Sequence, residues 1–316
     1  MPVPPSHQSP PSHQSPLSHQ SPLSHQSPLS HQSPLPLSAV VTRLRAAGCV
    51  FAEDEAELLV AASCDSAELA AMVDRRVAGL PLEHVLGWAE FCGLRIAVDA
   101  GVFVPRRRTE FLVEQAVALA PPRAVVVDLC CGSGALGAAL ASALDGAELY
   151  AADVDPAAVR CARRNVGGAG GRVYEGDLYG PLPRSLRGRV DILLANVPYV
   201  PTEEIELLPA EARVHEARLA LDGGADGLDV LRRVTAAALP WLAPGGHLLF
   251  ETSERQAPAA VRTVTRDGLS ARVAGCAERY ATVVIGTRET GSRDTGTREI
   301  GTGEIGTREI GTSGAR

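Results

Sequence analysis

The sequence predicts an α/β fold, a mostly parallel sheet covered by helices on both faces, with a small helical domain in front of it. Three observations carry this expectation. From Thr109 onward short apolar runs alternate with helical segments, the pattern of a parallel sheet with crossover helices. A glycine-rich turn follows the first of those runs. Short repeats at both ends of the 316-residue chain set off a core of roughly Pro36 to Arg288.

The N-terminal repeat is the hexamer S-H-Q-S-P-P/L, running five times from Ser6 to Leu35 and carrying His7, His13, His19, His25 and His31. A proline in every repeat forbids a continuous helix or a central strand, and one leucine per repeat buries too little surface to offset the entropy of ordering. The expectation is a disordered, solvated linker; the evenly spaced histidines lack the other ligands that a metal site needs. At the other end, variants of the pentamer G-T-R-E-I run on from Gly286. Their recurrent glycine and sparse apolar content predict a second disordered tail. The N-terminal repeat carries no charge and the repeat counted from Gly286 balances five Arg against five Asp or Glu, so the formal charge of -7, from 30 basic residues (all arginine) and 37 acidic ones, belongs to the residues between them.

The core divides in order. Residues 37–87 form the helical domain: Ser38 to Leu44 ends at Gly48, Ala52 to Ala62 carries Leu58 and Leu59, and Asp65 or Ser66 caps a segment that runs through Val77 to Gly79. Residues 88–108 form a hairpin linker from the apolar runs Trp88–Phe91, Leu94–Val98 and Val102–Val104. Residues 109–288 form the sheet domain. There the pattern predicts helices at 109–119, 135–143 and 156–165 and strands at 124–128, 147–152, 172–175 and 190–195, with further segments at 228–242, 246–251, 257–266 and 282–285. The tails are 1–36 and 289–316.

Composition excludes several classes. No run of 18 apolar residues exists, so no membrane-spanning helix and no membrane partner is expected. An acidic core argues against stable nucleic-acid binding, which draws its affinity from cations on phosphates. The cysteines, seven and odd in number, form no C-x-x-C pair and predict a reducing, cytoplasmic setting. The start Met1-Pro2-Val3-Pro4-Pro5 has neither a basic nor an apolar segment of the kind a signal peptide needs. His84, His215 and His247 show no triad or metal spacing and read as structural or surface residues, so no metal is expected.

The chemistry concentrates at the carboxyl ends of the predicted strands, where parallel sheets bind ligands. The first strand runs into Asp128-Leu129-Cys130-Cys131-Gly132-Ser133-Gly134-Ala135-Leu136-Gly137, a literal G-x-G-x-x-G that lets a ligand approach backbone N–H groups at a helix start. The adjacent thiols of Cys130 and Cys131 read as packing residues. The second strand ends at Asp153, whose carboxylate can accept from ribose hydroxyls. Both features suit an adenosine-type ligand, whether a dinucleotide or S-adenosyl-L-methionine.

Asn196-Val197-Pro198-Tyr199, directly after the strand Val190–Ala195, separates the two. A side-chain carbonyl and a backbone carbonyl can accept both hydrogens of a planar NH2 group while the aromatic ring packs on its plane. Such a grip turns the nitrogen toward an electrophilic methyl and favours a pyramidal, nucleophilic nitrogen in the transition state. Hydride transfer has no use for it.

These residues resemble class I S-adenosylmethionine-dependent methyltransferases that act on amino groups, whose signature is (N/D)-P-P-Y. They are more closely similar to the bacterial family that methylates the glutamine side chain of peptide chain release factors. The resemblance extends over nearly the whole core. It includes Arg75 to Gly87, Ala89 to Leu94, Val102-Phe103-Val104-Pro105-Arg106 with Thr109-Glu110, Gly176-Asp177-Leu178-Tyr179, Ala220 to Leu228, and Pro244-Gly245-Gly246 through Glu251 to Gln256. It implies a Rossmann-like class I methyltransferase sheet, an N-terminal helical domain that helps hold a protein substrate, and a hairpin linker. It also implies cofactor contacts from Cys130, Cys131, Gly132, Ser133 and Gly134 in the loop after Asp128, from Asp153 to the ribose, from Asp177 and Leu178 at the adenine, and from Asn196 near the methyl group. Asn196, the carbonyl of Val197 and the ring of Tyr199 would hold the glutamine amide of a G-G-Q tripeptide, with Pro198 between them.

Five positions depart from the family pattern. Val197 replaces the first proline, which leaves the backbone carbonyl in place. Cys130 replaces the first glycine and lacks its freedom at positive φ. Arg107-Arg108 replaces a Pro-Asp/Glu pair and reads as a solvated turn, with a different polypeptide or an RNA-associated substrate as the alternatives. Leu178 stands where an aromatic often flanks the adenine. The alternative readings are an exocyclic-amine methyltransferase of adenine or cytosine, which would need a basic groove, and a cofactor-binding protein without catalysis, which would not need Asn196 and Tyr199.

Overall fold

The computed structural model describes residues 35–290. Apart from residues 35, 36, 289 and 290, the two repeat tails lie outside the described residues, and the five repeat histidines lie there with them.

The chain opens with a helical bundle of α1 (Leu37–Ala46), α2 (Ala52–Ala62), α3 (Ser66–Val77) and the short α4 (Leu82–Leu86). Asp65 caps α3 by accepting from the N–H groups of Ala67 and Glu68 at 2.9 and 2.8 Å. Val40, Leu44, Ala56, Leu59, Met72, Val73 and Val85 close a core of their own. Arg76 of α3 is buried and makes three contacts. Its Nε donates to Glu55 of α2 at 2.6 Å, and one terminal nitrogen donates to the Leu80 carbonyl at 2.9 Å and to Glu211 at 2.6 Å. The last contact joins the bundle to the sheet domain.

A hairpin of β1 (Trp88–Phe91) and β2 (Leu94–Ala97) follows. The third apolar run, Val102–Val104, is buried but is not a strand. Two of its backbone polar groups go to side chains instead: the Val102 carbonyl meets His84 Nε2 at 2.8 Å and the Val104 N–H donates to Glu216 at 3.1 Å. His84 is thus a buried structural residue. Residues 107–109 form a 3-10 turn ahead of α5 (Glu110–Leu119).

The sheet domain continues with β3 (Val125–Leu129), α6 (Ala135–Ala143), β4 (Glu148–Asp153), α7 (Pro156–Gly167), β5 (Arg172–Glu175) and β6 (Val190–Ala195). Then come α8 (Ala210–His215), α9 (Asp229–Ala238), β7 (Leu242–Thr252), α10 (Ala257–Arg266), β8 (Ser270–Cys276) and β9 (Ala281–Thr287). Seven strands form one sheet in the order β5-β4-β3-β6-β7-β9-β8, parallel from β5 to β7 and antiparallel across β9 and β8. All five residues of β3 are buried, as in a strand covered on both faces. The period of two sorts them: Val125, Val127 and Leu129 join the layer with α9 and α10, while Val126 joins the layer with α5 and α6. The chain reverses strand order between β3 and β6, which opens a crevice at their carboxyl ends.

Candidate active site

The crevice is a cleft of about 460 Å³ lined by the ends of β3, β4 and β6 together with the loops at 101–108 and 208–222. On one side the β3–α6 turn is wound tightly, with Cys130 at φ +52, Gly132 at +54 and Gly134 at +77. Glycine is required at 134, since a Cβ there would lie 2.8 Å from Val166 Cγ2 and 3.1 Å from Ala162 Cβ on α7. The Gly132 N–H donates to Asp153 Oδ2 at 2.8 Å, so the end of β4 anchors the turn. Asn165 of α7 donates to the Ser133 carbonyl and exchanges hydrogen bonds with Ala97, which ties the hairpin to the same turn.

Two carboxyl groups sit here. Asp153 lines the cleft, and burial raises its pKa. Asp128 lies behind the turn: its Oδ2 accepts from Gly137 N–H at 2.9 Å, and Oδ1 has no partner among the described residues. Burial pushes this carboxyl up to about 7. Burial likewise pushes the Cys130 thiol up to about 12 and that of Cys131 well above the ordinary value, so both stay protonated and unreactive near neutrality.

The other side is the segment after β6. The Asn196 side chain faces the cleft, partly accessible, and makes no hydrogen bond to any described residue. Among the described residues no backbone donor reaches the Val197 carbonyl either. Tyr199, by contrast, is held at both ends. Its carbonyl accepts from Gln256 Nε2 at 2.9 Å. Its hydroxyl donates to Glu251 at 2.9 Å and accepts from Arg108 at 2.6 Å. Burial raises the phenol pKa further above its ordinary value, with the Glu251 carboxylate adding to it. The glycines of the 220–228 segment explain themselves here: a Cβ on Gly227 would lie 2.2 Å from the Tyr199 carbonyl oxygen, and one on Gly223 2.7 Å from that of Pro198.

Comparison with known proteins assigns the chain. A profile of the methyltransferase small domain matches residues 93–233. The release factor glutamine methyltransferase of Mycolicibacterium smegmatis is 39% identical over 250 residues, 73% of this chain and 88% of that protein. The enzyme of the same name from Geobacter sulfurreducens is 42% identical over 206 residues, 64% of this chain and 72% of that one. The chain belongs to the release factor glutamine methyltransferase family. A 4-amino-L-phenylalanine/4-methylamino-L-phenylalanine methyltransferase from Streptomyces pristinaespiralis is also similar, 37% identical over 207 residues, 61% of this chain and 69% of that one.

Of the site residues expected from sequence for this methyltransferase, Cys130, Cys131, Gly132, Ser133, Asp153, Asp177, Leu178, Asn196, Val197, Pro198 and Tyr199 all line the one cleft. Asp128 and Gly134 do not line it; they shape the turn from behind. Asp177 carries an ion pair to Arg233, and Leu178 sits at φ +48.

One reading needs correction. Arg107 and Arg108 were expected to share a solvated turn, and Arg107 is exposed. Arg108, also exposed, with 45% of its side chain accessible, nonetheless reaches Glu251 at 2.8 Å and the Tyr199 hydroxyl. Glu251, buried on β7, also accepts from Thr109 Oγ1 at 2.6 Å. Sequence reasoning matched Thr109 and Glu251 to family segments without giving either a role. The signal available was the proximity of Arg108 to that matched threonine.

Proposed function

We propose that the chain transfers a methyl group from S-adenosyl-L-methionine to the side-chain amide nitrogen of a polypeptide glutamine, the G-G-Q glutamine of peptide chain release factors, in the cytoplasm. One observation carries this reading: among the described residues the Asn196 amide and the Val197 carbonyl both have no hydrogen-bond partner, at the end of a central strand and beside a clamped aromatic ring. Two acceptors spaced by one residue match the two N–H bonds of a primary amide.

The residues present fit the cofactor. The turn with Gly132 leaves open space where a side chain would project, with no protein atom within 4 Å of an added Cβ. Asp153 keeps a second lone pair on each oxygen for ribose hydroxyls. Cys130 to Ser133 would hold the methionine portion, and Asp177 and Leu178 the adenine. When bound, the cofactor supplies an electrophilic methyl carbon on a sulfonium sulfur.

Asn196 Oδ1 and the Val197 carbonyl would each accept one hydrogen of the substrate amide, which withdraws the nitrogen lone pair from conjugation and aims it at that carbon. On methylation the amide nitrogen would release one proton to water. Tyr199 would pack on the amide plane. Its phenol stays protonated and acts as a wall, with no role as a base. The acidic core favours a polypeptide over a nucleic acid, and neither stable nucleic-acid binding nor membrane binding is proposed.

The test uses the full chain with methyl-labelled S-adenosylmethionine and three acceptors: a release factor, the same factor with the G-G-Q glutamine replaced by alanine, and duplex DNA. Label confined to the first acceptor and mapped to the glutamine by mass spectrometry is the expected result. Label on DNA, or on the alanine variant to the same extent, overturns the proposal.

A further inference from the structure

We infer that Arg108 is a positioning residue of the acceptor slot, acting through the hydroxyl of Tyr199. This rests on the methyl-transfer reading above and deepens it. The guanidinium makes a fork: Nε donates to Glu251 Oε1 at 2.8 Å, and a terminal nitrogen donates to the Tyr199 hydroxyl at 2.6 Å. That hydroxyl donates in turn to the same Glu251 oxygen at 2.9 Å, which closes a triangle of three hydrogen bonds. Glu251 cannot swing, because it is buried and its second oxygen is taken by Thr109. The main chain of Tyr199 is fixed separately by Gln256, whose Nε2 also donates to the Asp226 carbonyl at 2.9 Å. The ring is therefore pinned at its two far ends, and Arg108 supplies the one pin that comes from the hairpin side of the cleft.

The planar, doubly donating fork explains why arginine works at 108. A lysine offers a point charge and cannot meet both partners in this fixed geometry. An acidic side chain there would oppose Glu251 across the shared hydroxyl. Arg107, one residue earlier, is exposed and does not line the cleft, so it carries the same charge in the same turn without the contact.

Arg108→Ala, Tyr199→Phe, the double variant and Arg107→Ala are compared in the full chain. The readouts are methyl transfer to a G-G-Q polypeptide, with kcat and KM separated, and cofactor affinity by calorimetry. A misplaced slot is expected to lower kcat roughly 10-fold in Arg108→Ala, while cofactor affinity stays within about twofold. In the Tyr199→Phe background the further loss should shrink to about twofold or less, because the hydroxyl through which Arg108 acts is gone. Arg107→Ala should stay within about twofold of the parent. A loss in Arg108→Ala of equal size in both backgrounds, or one matched by Arg107→Ala, overturns the inference, as does an unchanged kcat. The NMR resonance of 13Cζ-tyrosine at 199, assigned by its absence in Tyr199→Phe, gives a readout independent of activity. It should shift in Arg108→Ala; a resonance that stays put overturns the inference even if the methyl-transfer reading holds. Absence of transfer by the parent with a shifted resonance would locate the failure in the methyl-transfer reading alone.

Discussion

The two sides of the cleft are built on different principles. The cofactor side is backbone. Asp153 and Asp128 each hold one of its backbone N–H groups, those of Gly132 and Gly137, and its shape comes from a turn at positive φ. The acceptor side is side chain: Asn196 is left free and Tyr199 is fixed by a network drawn from three parts of the chain. A surface made of backbone tolerates changes of residue type that keep φ accessible, whereas a surface made of functional groups does not. Two departures from the family pattern, Cys130 and Val197, fall where main-chain atoms are asked for, and Asn196 and Tyr199 are retained; Arg108 and Leu178 do not follow this division.

The sharpest way to break this contrast is Asn196→Ala. Loss of one preorganised acceptor should lower methyl transfer roughly 100- to 1,000-fold with cofactor affinity unchanged in calorimetry. A parallel loss of cofactor binding would mean that the two sides are not separable. Next in size is Gly134→Ala, which forces a Cβ against Val166 and a left-handed alanine. The variant should lose about 2–4 kcal/mol of stability in urea and bind the cofactor at least about tenfold more weakly. Retained affinity would contradict the role given to turn shape.

Asp128 tests the buried half through pH. Burial raises its folded-state pKa to about 7, above the ordinary 3.8, so the native state holds the proton more tightly than the unfolded chain. Stability carried by this group is full at low pH and is lost as pH rises through about 7. Asp128→Asn cannot ionise, so the parent should lose stability relative to this variant between about pH 4 and about pH 7, with parallel curves above that. Urea melts across that range check it; parallel curves throughout would mean that the carboxyl is already ionised. The smallest effect is expected from Val197→Pro. The Val197 carbonyl survives, and its N–H donates to no described backbone acceptor, so turnover should stay within about threefold. A large loss would show that the position does more than supply a carbonyl.

Much of this arrangement was legible in the sequence because its signals are local. The strands β3, β4 and β6 stand out as apolar runs, and the turn after β3 and the segment after β6 follow them within a few residues. Elements with no local signal were missed. α8 buries none of its residues, so no helical periodicity marks it. β8 is an edge strand, largely exposed, whose Ser270-Ala-Arg-Val-Ala-Gly-Cys276 sequence does not alternate. α4 has only five residues between Pro81 and Gly87. Arg108 was misread for the opposite reason. Its neighbours Arg107 and Thr109 are both polar, the first exposed and the second buried, and its partner Glu251 lies 143 residues away.

The buried Arg76 has a kinetic consequence. Its contacts to Glu55 and Leu80 span at most 21 residues, but the one to Glu211 spans 135. The local contacts can form as α2 and α3 fold together, whereas the long loop closes only once the sheet domain exists to present α8. Glu211→Gln should therefore quicken unfolding while leaving the refolding rate nearly unchanged, as read from the two arms of a stopped-flow chevron. Slowed refolding would mean that the bundle and the sheet domain meet before the transition state. If they meet after it, the grip between them is the first to loosen under heat.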